Sequence, residues 1–406
     1  MNDSISQYAA LRSRTRAENG FVLVATLFAV ALIALGAAYF ANRVNELRNN
    51  AIETQRWAEA EREAFSIRET LLHAAAIYAR DTAGLMVTTE SFATDNRPYK
   101  VSATTTLRVQ DERGLIGINI VDDKLLIKFF TTLGIPSSQH MQLLDGLRDY
   151  IDPDDLKHLN GAEKNDYIAA KRAPPTNDFL RTREQLMDVL SWEKIFAALN
   201  RADNDIAQQR AASPAESAQV AGIRDRFLSL FSTANHFGIN LNSAPASVLS
   251  VLPGLNPARV NALIDQRRVR SFNHLGELTP FANGPLDEEL IGLIGADTWR
   301  VTIAKSDLPF LLECQLLITP GNKDRPTRLK ECRRRSPDLF AVGAPNEFTR
   351  ALDDQKREPM RPISPLTKSI NEPNFADRNL RRDPTRTDET SAPRWLAESI
   401  ASVAPN

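Results

Sequence analysis

The sequence predicts an α+β protein: a long N-terminal membrane-spanning helix packed on a small antiparallel sheet, with a large α-helical domain inserted between strands of that sheet. Three observations predict it. Residues 21–41 (FVLVATLFAVALIALGAAYFA) carry no charge, and residues 42–80 carry neither proline nor glycine. Two pairs of β-rich segments stand far apart, near residues 84–109 and 298–319. The stretch between them is helical by pattern, with turns set by Gly and Pro.

The uncharged run is long enough to cross a bilayer core of about 30 Å at about 1.5 Å per residue. It follows a short leader carrying Arg12, Arg14 and Arg16, and Gly20 stands directly before Phe21. A secretory signal peptide is cut after its apolar region; here the natural cut lies before it, so the run stays in the mature protein. An ordinary signal anchor with a chance glycine is the other reading. Beyond the run, Val44, Leu47, Ala51, Ala58, Ala64, Phe65, Ile67, Leu71, Ala75 and Tyr78 recur at helical spacing, and charges fill the other faces. A helix of about sixty residues would be about 90 Å long, and alone it needs a partner surface. Its spacing is not a strict heptad, which counts against a plain anchor followed by a coiled coil.

Residues 84–92 and 99–109 are rich in β-branched and aromatic residues around a polar turn, and are expected to form one hairpin. A second hairpin is expected from residues 298–305 and 310–319. The domain boundaries follow: leader 1–20, helix 21–80, sheet 81–117 and 296–320, inserted α-domain 118–295, tail 321–406. The tail from Pro320 holds eleven of the twenty-three prolines and little apolar periodicity. Such a stretch buries too little surface to offset its ordering entropy, so it is expected to be mostly disordered. A short helix over residues 392–401 (APRWLAESIA), anchored by Trp395, Leu396 and Ile400, is expected within it.

Composition excludes several classes. The net charge of −1 gives no support to a nucleic-acid partner. Cys314 and Cys332 are too few for a disulfide scaffold, and their pairing stays open. The five histidines are scattered without zinc-like spacing, and no hydrolase, phosphate-loop or dinucleotide motif occurs. No enzymatic activity is expected.

The insert carries an approximate internal repeat. Ile118-Asn-Ile120 leads to a helix, a Leu133-Gly-Ile135 turn and a second helix over residues 139–150. Ile239-Asn-Leu-Asn242 leads to a helix, the turn Pro253-Gly254-Leu255 and a second helix over residues 257–268. The later copy resembles a helix-hairpin-helix, whose amides and nearby Arg259, Arg267, Arg268 and Arg270 could grip phosphates. A packing module with a solvated arginine face is the preferred reading.

The densest motif is acidic. Asp145, Asp149, Asp152, Asp154 and Asp155 fall within eleven residues, with Glu163 and Asp166 after a loop. Clustered carboxylates repel unless compensated, and an oxygen-rich loop suits calcium. The spacing is not an EF-hand. On charge alone, a cation site and a helix cap with salt bridges stand level. Pro153 ends the helix near Asp152, and Gly161 lets the following turn approach.

Here the residues resemble a known family. Gly20-Phe21 behind a basic leader resembles a prepilin-peptidase site of type IV pilins and pseudopilins. Most of those proteins carry a glutamate five residues after the cut, where this chain has Ala25. Its absence is similar to one subclass, the K-type minor pseudopilins of type II secretion. Asp149-Tyr-Ile-Asp152-Pro-Asp154 followed by Gly161-Ala-Glu163 and Tyr167 resembles that family's acidic signature, with Tyr150 in place of the usual Trp. Residues 177–189 and the 239–246 hairpin match in order, and the resemblance covers roughly residues 15 to 320. It implies a pseudopilin fold with an inserted α-domain and bound calcium, held among Asp149, Asp152, Asp154, Asp155, Glu163 and Asp166. It implies cleavage by prepilin peptidase, a methylated N-terminus and an inner-membrane span in lipid with the C-terminal part in the periplasm. The I-type and J-type minor pseudopilins are the implied partners, at the tip of a fibre that serves protein secretion. The alternative is a membrane-tethered helix-hairpin-helix DNA-binding protein of a DNA-uptake system, which the acidic cluster opposes.

Overall fold

The computed structural model describes residues 18–87, 90–211, 222–306, 308, 310–319, 322, 324–335 and 390–391. The leader up to residue 17 and the expected helix over 392–401 lie outside them. The chain parts into two compact units between Glu63 and Ala64.

Helix α1 spans Glu18–Ile77. In the first unit its side chains from Val22 to Phe40 are exposed all round. The apolar stretch reaches a mean hydropathy of 2.4, and α1 is the one helix among the described residues long and apolar enough to cross a membrane. Charges then take over, with Arg43 paired to Glu46 at 3.0 Å one turn along.

In the second unit the end of α1 buries Ala64, Ile67, Leu71, Ala74 and Ala75. That spacing of three and four places them on one face, as the periodicity requires. They share a core with Leu85 and Phe92 of a small hairpin and with Val109, Trp299, Val301 and Leu316 of the main sheet. Full burial of each Leu or Ile here contributes about 1.5–3 kcal/mol.

The strands are β1 (Gly84–Val87), β2 (Glu90–Ala93), β3 (Tyr99–Lys100), β4 (Thr105–Asp111), β5 (Ile116–Gly117), β6 (Phe231–Ser232), β7 (Ile239–Asn240), β8 (Ile291–Gly292), β9 (Thr298–Lys305), β10 (Leu311–Ile318), β11 (Thr327–Arg335) and β12 (Thr390–Ser391). The main sheet runs β11-β10-β9-β4-β3-β12. Strands β4 and β9 are neighbours, with Val109 opposite Val301, although the whole insert separates them in sequence. The second expected hairpin forms as β9 and β10.

Two expectations are corrected. Residues 84–92 are not one strand paired with 99–109: β1 and β2 fold back on each other, with Leu85 opposite Phe92. Asp81 Oδ1 fixes the start by accepting from the amides of Ala83 and Gly84 at 2.9 and 2.8 Å. Residues 99–109 likewise divide into the antiparallel pair β3 and β4. The sheet also does not end at 320. Strand β11 adds to its edge, with Cys332 opposite Cys314 and a disulfide between them at a Cα separation of 4.1 Å. Its TRLKECRRR sequence lacks apolar alternation because charge pairing stands in for it. Arg333 and Arg335 both reach Glu184 of the insert, and Arg335 also reaches Glu313 of β10 at 3.2 Å.

The insert holds α2 (Asp123–Thr132), α3 (Ser137–Ile151), α4 (Lys164–Ala169), α5 (Glu193–Ala211), α6 (Ile223–Ser229), α7 (Ala246–Leu249) and α8 (Val260–Val269). Gly134 and Gly254 take φ of 74° and 82°, left-handed values that a side chain disfavours, where the two turns were expected. A 3-10 turn over Pro257–Arg259 precedes α8, so the second hairpin helix starts later than its pattern. Phe129, Phe130, Trp192, Phe227 and Phe231 form the centre of a separate core.

A buried polar joint roots the insert in the sheet. Asp111, at the end of β4, is fully buried and accepts from Asn240 at 2.7 Å, Ser243 at 2.8 Å and the Ala296 amide at 2.8 Å. Beside it, Arg183 donates two bonds to Glu313 at 2.8 and 2.9 Å, and Arg300 lies 3.3 Å from Glu112.

Candidate metal centre

The acidic cluster is built at the end of α3. Asp145 and Asp149 lie one turn apart on a single helix face, and both are buried. The helix stops at Ile151, before Pro153, and the Asp152 amide donates to Arg148 O at 2.9 Å. The chain then folds back over the carboxylates. Asn160 donates to Asp145 Oδ2 from its amide at 3.1 Å and from its side chain at 3.0 Å. The His158 amide donates to Asp149 Oδ1 at 3.1 Å, and His158 Nδ1 lies 2.5 Å from the same oxygen. Gly161 presses on Asp149, and a Cβ there would overlap Asp149 Oδ2. Gly161→Ala is therefore expected to destabilise the insert by about 1–3 kcal/mol as an overpacking change. A melting curve of the variant equal to that of the parent would refute this fit.

The tight turn leaves acceptors without donors. Asp149 Oδ2, Asp152 Oδ1 and both Glu163 Oε atoms are buried without a hydrogen-bond partner. An uncompensated buried carboxylate is costly, so native structures supply a partner. Burial, then Asp149, Asp152 and Asp155, push the Glu163 carboxyl up to about 7. Burial and the neighbouring Asp154 and Asp149 also raise Asp152. The His158 pKa is raised, chiefly by its hydrogen bond to Asp149. The imidazole thus stands where the cluster wants positive charge, and Asp149 favours its protonated form.

The six carboxylates expected to hold calcium do not converge equally. One ligand atom each of Asp149, Asp152 and His158 lies within 4.8 Å of the other two. Glu163 is buried beside them. Asp154 and Asp155 are exposed: Asp154 Oδ1 caps the Leu156 amide at 2.8 Å, and Asp155 accepts from Asn177 at 3.2 Å. Asp166 accepts from Lys157 at 2.9 Å and the Glu163 amide at 3.0 Å, which hold its carboxyl below its ordinary range. His158 was not among the expected ligands, because a lone histidine six residues after Asp152 matches no regular ligand spacing. The bracket of Pro153 and Gly161 around it was the available signal.

The orphaned oxygens fit a divalent cation. Asp149, Asp152 and Glu163 would hold it, and it would supply the charge that lets all three ionise together. Carboxylate donors suit calcium.

The arginines of the second hairpin are engaged internally. Arg267 is buried and donates to Leu241 O and Ala244 O, both at 2.7 Å. Arg259 donates to Pro280 O, and Arg270 pairs with Glu277 at 2.8 Å. Arg268 lies 3.7 Å from Asp265. The expected solvated face of four arginines is thus corrected at Arg267, which is buried out of reach of a phosphate, while Arg268 and Arg270 remain exposed.

Residues 117–202 match the family model for type II secretion system (T2SS), protein K. Among solved structures, one similar chain belongs to the crystal structure of the GspK-GspI-GspJ complex from the enterotoxigenic Escherichia coli type 2 secretion system. The pairing is 14% identical, covers 72% of this chain and 99% of that one, and has a TM-score of 0.45. No curated protein matches the chain.

Proposed function

We propose that this chain, whose residues 117–202 match the family model for type II secretion system protein K, is a K-type minor pseudopilin that works in protein secretion. The observation that carries this reading is that family match, falling largely within a helical insert between β4 and β9 of a sheet that packs on the last turns of α1. The role is structural, with no catalysis assigned. The apolar part of α1 lies in inner-membrane lipid, and the sheet and insert face the periplasm. The chain joins the I-type and J-type minor pseudopilins at the fibre tip, where its insert blocks addition of a further subunit. It helps start assembly and then caps it. Deleting the gene should abolish export of the secreted proteins, and the full chain should copurify in detergent with the I- and J-type subunits. Normal export in the deletion strain would end the proposal.

Prepilin peptidase cuts between Gly20 and Phe21, and the new N-terminus is methylated. The motive is the switch from basic leader to apolar helix at that bond. N-terminal sequencing should begin at Phe21, and Gly20→Asp should leave the leader on. Processing of Gly20→Asp at the wild-type rate would contradict this.

Ala25 marks the tip position. A carboxylate there has no amine to pair with, so in the apolar segment it costs several kcal/mol or takes up a proton. Ala25→Glu should be processed normally and lower secretion. Full secretion by that variant would strip the missing glutamate of meaning.

The Asp149, Asp152 and Glu163 cluster binds calcium, which stabilises the insert. Support comes from the buried oxygens without donors and from the raised Glu163 carboxyl.

A further inference from the structure

A second site lies at the end of the sheet, away from the acidic cluster and independent of it. Thr298, Leu317 and Arg328 stand in one row across β9, β10 and β11. They contribute to a cleft of about 650 Å³ that Arg113 and Lys330 also line. Lys330 is the extra residue where the β10–β11 register shifts between Gln315 and Leu316, and this bulge lets it line the cleft together with Arg328.

The wall opposite is held by Arg113. Its Nε donates to Phe237 O at 3.0 Å and its Nη1 to Ile294 O at 3.2 Å. One guanidinium thus fixes two loops. Each loop turns a large apolar side chain outward: Phe237 is 74% exposed and Ile294 68%. Phe237 lines this cleft, and Ile294 lines the adjoining one, which shares Gly295 and Ala296 with it.

The charge of the cleft is one-sided. Among the described residues, Arg113, Arg328 and Lys330 form no ion pair. The one carboxylate in the lining, Asp297, is already paired with Arg80 at 2.7 Å. Three cations with no carboxylate partner among the described residues, beside two exposed apolar side chains, complement an acidic segment that carries an apolar anchor. A bare phosphate surface would leave Phe237 and Ile294 without partners.

We propose that this cleft docks an extended acidic segment of a partner protein, with carboxylates on Arg113, Arg328 and Lys330 and an apolar side chain against Phe237 and Ile294. The test uses the full chain in secreting cells, with the photo-crosslinker p-benzoylphenylalanine in place of Phe237. The control places it at Val269, which is 86% exposed elsewhere on the insert. The Phe237 position should give a discrete adduct at a yield about tenfold above the control, and peptide mapping should put the crosslink in a segment of net negative charge. Arg328→Glu with Lys330→Glu should lower that yield about tenfold without changing the amount of the chain. Where the charge reversal lowers chain levels, Arg328→Gln with Lys330→Gln should still reduce the adduct, as should high salt during capture. A yield no higher than at Val269 overturns the proposal. So does a crosslink into a basic or neutral segment, a lipid or a nucleic acid, or an adduct indifferent to the cations.

Discussion

Calcium should raise the melting temperature of the full chain in detergent by about 5–10 °C at a hundredfold excess over Kd. That excess is worth about 2.7 kcal/mol to a state that alone binds the ion. Magnesium, which keeps its waters and demands tight octahedral geometry, should do less. Asp149→Asn with Asp152→Asn should remove the response, because these residues carry two of the orphaned buried oxygens. The pH dependence has a definite sign. Glu163 titrates near 7 in the fold against 4.5 unperturbed, so the proton it holds favours folding, and that contribution fades as pH rises from 4.5 through 7. Asp152 is shifted the same way. His158 has a raised pKa, so its contribution is complete below 6.5 and is lost as pH climbs through its folded value. All three make the calcium-free chain less stable from acid toward neutral pH. Calcium needs the deprotonated carboxylates, so its stabilisation should grow over the same range. A melting curve unmoved by millimolar calcium, with no calcium in the purified chain by elemental analysis, would return the cluster to a set of loop salt bridges.

What could be read from the sequence follows what local chemistry determines. The uncharged run, the helical spacing of Ile67, Leu71 and Ala75, and the β9–β10 hairpin depend on near neighbours, and each appears in the structure. So does the insertion, because β-rich segments on either side of a helical stretch must pair across it. The Pro153 and Gly161 constraints foresaw a turn folding back over Asp149. Long-range pairing was beyond reach. Strand β11 reads as a charged tail because its stabilisation comes from Glu184 and Glu313, each far away in sequence. His158 read as an isolated histidine although Asp149 and Asp152 lie only nine and six residues before it, because the turn that brings them together has no fixed spacing. The split of residues 84–92 into β1 and β2 turned on one local bond set around Asp81, which β-propensity does not register. The acidic cluster was legible as a cluster. Which carboxylates converge was not, because Asp154, Asp155 and Asp166 differ from Asp149 only in where the backbone points them.

Glu313→Leu should be among the most destabilising substitutions in the chain, costing about 3–5 kcal/mol as the loss of one partner of a buried pair. Arg183 is almost wholly buried, its Nε already has no hydrogen-bond partner, and Glu313 is its bidentate acceptor. Removing that acceptor leaves Glu184, 3.5 Å from Nε, as its nearest remaining carboxylate. It also removes the bond by which Arg335 links β11 to β10, leaving Arg335 with Glu184 alone, so the sheet edge and its junction with the insert loosen together. Adding Arg183→Met should recover part of the loss, since an apolar side chain there no longer buries an unpaired charge. The acid response follows from the same joint. Burial alone would push the Glu313 carboxyl up, but Arg183, Arg300 and Arg335 outweigh it and hold it at about 2. A depressed carboxyl contributes stability that is fully present above its unfolded value of 4.5 and is lost as pH falls toward 2. Glu184 is also lowered, by Arg183 and Arg335 acting against its burial, and adds to the same loss. The parent chain should therefore weaken steeply between pH 4.5 and 2, and the Glu313→Leu, Arg183→Met double variant should weaken less over that interval. Urea unfolding followed by the fluorescence of Trp192 and Trp299, one in each core, measures both effects. A double variant as fragile as Glu313→Leu alone, with an acid slope equal to the parent's, would show that the joint is held by shape and not by its charges.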